Sequence, residues 1–130
     1  MVYLTVDDVL AIRDAIEREY DNSFPVRTPS GLYAAIEAPR GVLFGQELFE
    51  TLAEKSGALL YGLVHNHPFW DGNKRVATRA VRLFLERNGA RLTGSDHELR
   101  AYAREIARGT LQREDVVAWV VNHIEDKRGT

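Results

Sequence analysis

Apolar positions recur every three or four residues along nearly the whole chain, the period of an amphipathic helix. Val6, Val9, Leu10, Ile16 and Tyr20 mark one side of a first helix, which Thr5 caps with Asp8 three residues later. Residues 22–29 read as a loop. Ser30 then stands where it would cap a short helix carrying Leu32, Ala35 and Ile36, stopped near Pro39. The stretch from Arg40 to Gly45 breaks the period. Its glycines bracket the β-prone run Val42-Leu43-Phe44, which predicts a small hairpin or flap.

A long helix is expected from about Gln46 to His65, with Leu48, Phe49, Leu52, Leu59, Leu60 and Leu63 as its buried stripe. Pro68 has no amide hydrogen and disfavours helix at the residue before it, so His67 should stand where helix gives way to loop. Gly72-Asn73 restarts a helix that Val76, Ala77, Ala80, Val81, Phe84 and Leu85 pack down, and Asn88-Gly89 ends it. Two further helices are predicted over 96–108 and 112–125. Gly109 ends the first, and Val116, Trp119, Val120 and Ile124 form the apolar face of the second. These elements add up to a compact all-α domain with one short β-hairpin, residues 1–130 forming a single domain.

Composition narrows the class. Apolar residues are 45% of the chain and charged residues 28%, the balance of a globular protein rather than a disordered one. No apolar run approaches the roughly 20 residues of a membrane span. Met1-Val2-Tyr3-Leu4 runs into Asp7 and Asp8, unlike a signal peptide, so a cytoplasmic location and no membrane partner are expected. Cysteine is absent, which removes disulfides and thiolate metal sites. A net charge of −2 argues against direct binding of nucleic acid. The charge is uneven, however. Residues 1–24 hold six acids against two arginines, whereas residues 74–108 hold nine basic residues against four acids. Such a basic stretch is either a set of solvated helix faces or a surface for an anionic ligand.

Residues 67–75, His-Pro-Phe-Trp-Asp-Gly-Asn-Lys-Arg, favour the ligand. Histidine is the side chain whose ordinary pKa is nearest neutrality, so His67 suits a proton-accepting role. Asp71 suits Mg²⁺ alongside phosphate oxygens and water, or an N-cap of the next helix. Gly72 permits close approach of backbone. Asn73 offers an amide donor, and the free N–H groups at the helix start form an anion site reinforced by the helix dipole. Lys74 and Arg75 add fixed positive charge there. Phe69 reads as an inward structural anchor, while Trp70 faces either the core or a partner. Arg75, Arg79 and Arg82 share one helix face, either as further phosphate contacts or as a solvated stripe with Glu86 pairing Arg82.

Look-alike motifs fall away. His65-Asn66-His67 spells an HNH string, but alternate residues on a helix do not share a face, and the β-hairpin of such nucleases has no counterpart around it. The chain has neither His-Glu-x-x-His nor a Gly-x-x-x-x-Gly-Lys-Ser/Thr phosphate loop.

The nine-residue string resembles the core motif of the Fic/Doc superfamily, roughly His-x-Phe-x-Asp/Glu-Gly/Ala-Asn-Gly/Lys-Arg. The likeness is nearest to the Doc (death-on-curing) branch, the toxin half of bacterial toxin–antitoxin pairs. It extends to the capped first helix, Pro29-Ser30-Gly31-Leu32, the helix before the motif and the Leu83–Gly89 stretch after it. The resemblance implies a Fic-type helical domain in which His67 activates a target hydroxyl and Asp71 binds Mg²⁺. Gly72, Asn73, Lys74 and Arg75 would line the phosphate site, with Phe69 as anchor. Val42, Leu43 and Phe44 fall in the implied flap, which holds a target peptide by strand pairing.

Departures from the motif bear on the reaction. AMP-transferring members carry glycine where this chain has Lys74, and a second arginine where it has Thr78. Arg79 lies one place off, about 100° around the helix. Doc-like members share the lysine and bind the nucleotide reversed, with its γ-phosphate at the reacting position. The implied activity is transfer of phosphate from ATP or another nucleoside triphosphate to a Ser/Thr hydroxyl of a protein, with translation elongation factor Tu as the family's target. Pro68 and Gly72 match the AMP-transferring pattern instead, which keeps AMP transfer as the alternative. A silent module that binds a partner without catalysis is the reading from a different class.

Self-inhibited relatives carry Ser/Thr-x-x-x-Glu-Gly/Asn. Here Thr110 alone has Glu four residues later, and Asp115 follows it. With no internal brake visible, the resemblance implies a small antitoxin whose C-terminal segment folds onto the toxin.

Overall fold

The computed structural model describes residues 1–126. Helix α1 (Val6–Tyr20) begins with the expected capping box, in which Thr5 and Asp8 each bond the other's backbone N–H. Helix α2 (Pro29–Glu37) is capped by Thr28 rather than Ser30. The cause is Pro29. It holds residue 28 extended and suits the first helical position, where its missing N–H costs nothing, and the Thr28 hydroxyl takes the Gly31 N–H at 3.2 Å.

A short 3₁₀ turn (Ala38–Arg40) leads into strands β1 (Val42–Leu43) and β2 (Gln46–Glu47), antiparallel, with Leu43 opposite Gln46. The two-residue loop Phe44-Gly45 has positive φ at both positions, 51° and 78°, which suits the twist of a tight hairpin. The return strand takes residues that the apolar period assigned to the next helix. Helix α3 (Leu52–His65) therefore starts six residues later than expected, at the Thr51 cap, whose hydroxyl accepts the Glu54 N–H. Leu48 is left half exposed outside it, while Phe49 is still buried.

Helix α3 is the central element and packs against α2, helix α4 (Asn73–Arg87), helix α5 (Asp96–Ala107) and helix α6 (Arg113–His123). Contact with α6 is close enough to require Gly57, since a Cβ there would stand 2.6 Å from Val117 Cα. One apolar cluster draws side chains from all six helices, with Leu60, Leu63, Phe69, Val81 and Leu85 fully buried in it. Arg87 near the end of α4 reaches back to Asp8 at 2.8 Å, and its hydrogen bonds hold the Asp8 carboxyl below the usual carboxylate range against the opposite pull of burial.

A second antiparallel pair was not foreseen. Strand β3 (Ala90–Leu92) pairs with β4 (Ile124–Asp126), and α6 consequently ends at His123 instead of continuing to 125. The all-α reading with one hairpin otherwise describes the observed architecture. Among the described residues no helix is long and apolar enough to cross a membrane.

Gly57→Ala should destabilise the protein by about 1–3 kcal/mol, because backbone rather than a flexible side chain blocks the added methyl. Thermal unfolding followed by circular dichroism should show a midpoint lower by several degrees.

Candidate active site

Helix α3 ends at His65, with Asn66 as its cap. The chain then turns sharply, because His67 adopts φ 49°, in the left-handed region. That conformation carries a cost of roughly 1–2 kcal/mol for a residue with a Cβ. Three contacts offset it. Arg27 Nε donates to the His67 carbonyl at 2.8 Å, and the Pro68 carbonyl accepts N–H bonds from Arg27 and Thr28 at 2.7 and 3.1 Å. Asn66 in turn donates its side-chain amide to the Gly31 carbonyl at 3.0 Å.

Phe69 is fully buried, as an anchor must be, and forms a bridge with Val26. Asn73, the first residue of α4, is buried and reaches back over the loop. Its Oδ1 accepts the Phe69 N–H at 2.9 Å and its Nδ2 donates to the Phe69 carbonyl at 2.8 Å. The same Nδ2 lies 3.2 Å from His67 Nδ1. The two backbone bonds fix which way the amide faces, so Nδ1 is the accepting nitrogen and the neutral ring carries its proton on Nε2. The amide expected to meet phosphate is thus turned onto the loop and the imidazole.

Gly72 occupies the N-cap position of α4 with φ 78°, and no side chain caps the helix there. A Cβ at Gly72 would meet the Phe24 ring at 3.2 Å, so the close approach is to core rather than ligand. Asp71 does not cap the helix; its Oδ1 takes the adjacent Gly72 N–H at 2.8 Å, and the residue is otherwise exposed. By helix geometry the N–H groups of Asn73, Lys74 and Arg75 have no partner within α4. This end of the helix is open to an anion.

The cations behind it divide into two kinds. Lys74 is exposed and makes no ion pair among the described residues. The Arg75 guanidinium lies 4.3 Å over the Tyr20 ring, and its buried Nε, like that of Arg82, has no hydrogen-bond partner among the described residues. Arg79, by contrast, forms a two-pronged ion pair with Glu19 of α1, and this bonding holds the Glu19 carboxyl below its ordinary range. Arg82 pairs with Asp96 at 2.8 Å. Arg75, Arg79 and Arg82 do share one wall of a cavity of about 500 Å³, completed by Tyr20, Asp96 and Arg100. His67, Asp71 and Lys74 are not part of that cavity, so two of the three arginines are engaged by acids away from the imidazole.

Sequence reasoning missed Arg27, Asn66 and Glu19. Their roles are long-range contacts to backbone or to a distant cation, and nothing local marks them. Trp70 is largely exposed, 6.0 Å from Arg27, which settles its orientation toward solvent.

The His67 imidazole thus lies against the first residue of α4, at a helix N-terminus that no side chain caps and that carries the exposed Lys74. A model of the Fic/DOC family matches residues 3–85, from the start of the chain through the hairpin and the motif into α4. A protein named Toxin Doc, from Mycolicibacterium smegmatis, is 37% identical over 90 residues, covering 69% of this chain and 67% of that protein. The chain belongs to the Fic/DOC family, and its likeness lies on the Doc branch.

Asn73→Ala should lower stability by roughly 2–4 kcal/mol, since it strands the buried N–H and carbonyl of Phe69. Chemical denaturation should report that loss, and a crystal structure should show the His67 ring released from its present position.

Proposed function

We propose that this protein is a Doc-type toxin that moves the γ-phosphoryl group of ATP, or another nucleoside triphosphate, onto a Ser/Thr hydroxyl of a target protein, with elongation factor Tu the expected target. Support comes foremost from Lys74, an exposed cation on the uncapped start of α4 with no ion pair among the described residues, seven positions after His67 in the chain. In this reading the N–H groups of residues 73–75 receive phosphate oxygens, and Lys74 and Arg75 neutralise charge that builds up during transfer. The name of the similar mycobacterial protein agrees with a toxin.

Asp71 would hold Mg²⁺ through the carboxylate oxygen that its turn leaves free. Among the described residues no group of three His, Cys, Asp or Glu could hold a metal, so phosphate oxygens and water would complete the ion's shell. Bound there, the ion would draw charge from the phosphates. His67 is the base. Its proton stands on Nε2 in the resting arrangement and Nδ1 accepts from Asn73, so the ring must turn off Asn73 before Nδ1 can accept a proton from the target hydroxyl. The hairpin Val42-Leu43-Phe44 offers an exposed strand edge for the target's backbone, with Phe44 almost wholly in solvent at its tip. A small antitoxin would restrain the enzyme in the cytoplasm. Arg79 and Arg82, already paired with acids, contribute less than Lys74 and Arg75.

AMP transfer is the second reading, favoured by Pro68 and Gly72, which match the AMP-transferring pattern. Purified protein, Mg²⁺ and bacterial lysate with ATP labelled at either the α- or the γ-phosphate separate the two. Label from the γ-position alone is expected. Label from the α-position would establish AMP transfer, and no label despite bound nucleotide would establish a silent module. His67→Ala should reduce transfer by about 10²–10⁴-fold with an unchanged circular dichroism spectrum.

A further inference from the structure

The hairpin has almost nothing of its own to hold it. Val42, Leu43, Phe44 and Leu48 are all exposed, from 49% to 96%, and the ladder consists of two residue pairs. A two-stranded ribbon of this size is not stable alone in water. Its angle on the protein must therefore be set at the neck, where the chain leaves through Pro39 and Arg40 and returns through Glu47 and Leu48.

One side chain meets both legs of that neck. Lys55, in the second turn of α3, is 2% exposed. Its Nζ donates to the Pro39 carbonyl on the outgoing leg at 3.2 Å and to Glu47 Oε1 on the returning leg at 2.9 Å. Tyr3 closes the arrangement. Its ring centre lies 5.6 Å from the Lys55 ammonium and 4.6 Å from the Arg40 guanidinium. The Leu48 N–H to Gly41 carbonyl bond, 2.9 Å, completes the neck.

A lysine at this position needs a reason. Methionine would fill similar space without the several kcal/mol that burying an ammonium costs when it is poorly paired. Burial pulls the Lys55 ammonium down, but Glu47 and Tyr3 more than compensate and hold it above the ordinary lysine value, so it stays charged at neutral pH.

We propose that Lys55 is a positioning residue for target engagement: its buried ammonium, bonded to both legs of the hairpin, sets the angle at which the strand edge is presented. This rests on the reading of the hairpin as the target-docking element. Lys55 itself touches neither nucleotide nor the reacting atoms.

The test compares the full-length protein with Lys55→Met, Lys55→Arg and Glu47→Gln by hydrogen exchange of the 42–47 amides and by the concentration of target at half-maximal labelling. Lys55→Met should speed exchange in the hairpin and raise the half-saturating target concentration, each by about tenfold, with a much smaller fall in maximal rate. Lys55→Arg should recover part of both effects. Glu47→Gln, at a half-exposed carboxylate, should shift both in the same direction by less, and it carries the test if Lys55→Met fails to fold. Unchanged exchange in a folded variant would overturn the brace. Faster exchange with unchanged half-saturation, or a wild type that labels no protein, would overturn the docking role of the hairpin and the positioning role with it.

Discussion

The side-chain amide of Asn73 closes the loop between α3 and α4, and the candidate site depends on that closure. One residue at the start of a helix bonds both backbone groups of Phe69 and touches His67. The loop that results has left-handed residues at 67 and 72 and a fully buried phenylalanine between them. Helix start, core anchor and imidazole thereby become one unit. Arg27 and Thr28 hold the same unit from outside, through the carbonyls of His67 and Pro68. An imidazole held this way keeps one orientation until it is released from Asn73, the step that the proposed reaction requires of it.

Charge is distributed to the same end. The chain is acidic at its start and basic in its middle, and the fold brings the two together as specific pairs: Glu19 with Arg79 and Asp8 with Arg87. These pairs consume cations further along α4, while Lys74 at its open end has no ion pair among the described residues. In the proposed reading, attraction for an anion is thereby concentrated near the imidazole instead of being spread along the helix. The arginine-lined cavity beside Tyr20 has its charge already balanced in part by Glu19 and Asp96.

The motif could be read from the sequence because its parts are contiguous. Nine residues hold the proline that ends helix propagation, the glycine that takes a positive φ and the asparagine that bonds back across four positions. Helix positions followed from apolar period for the same local reason. What escaped is non-local. The return strand Gln46–Glu47 looked helical because Leu48, Phe49 and Leu52 happen to continue a helical spacing, and only the turn at Phe44-Gly45 redirects them. Strand β3 meets β4 across more than thirty residues, so neither announces itself alone. Lys55 reads as an ordinary polar helix position until Pro39 and Glu47 are seen against it. Asn73 reads from the sequence as an amide for phosphate, but the direction of its side chain depends on Phe69 and is not written in the spacing.

The most direct test concerns where phosphate goes. Amide resonances of the protein labelled with ¹⁵N, titrated with a non-hydrolysable ATP analogue and Mg²⁺, report each backbone N–H separately. The largest shifts should fall on Asn73, Lys74 and Arg75, with a smaller change at His67. Shifts confined to the cavity between Arg79 and Arg100, with residues 73–75 unmoved, would contradict the claim that the open end of α4 receives the nucleotide.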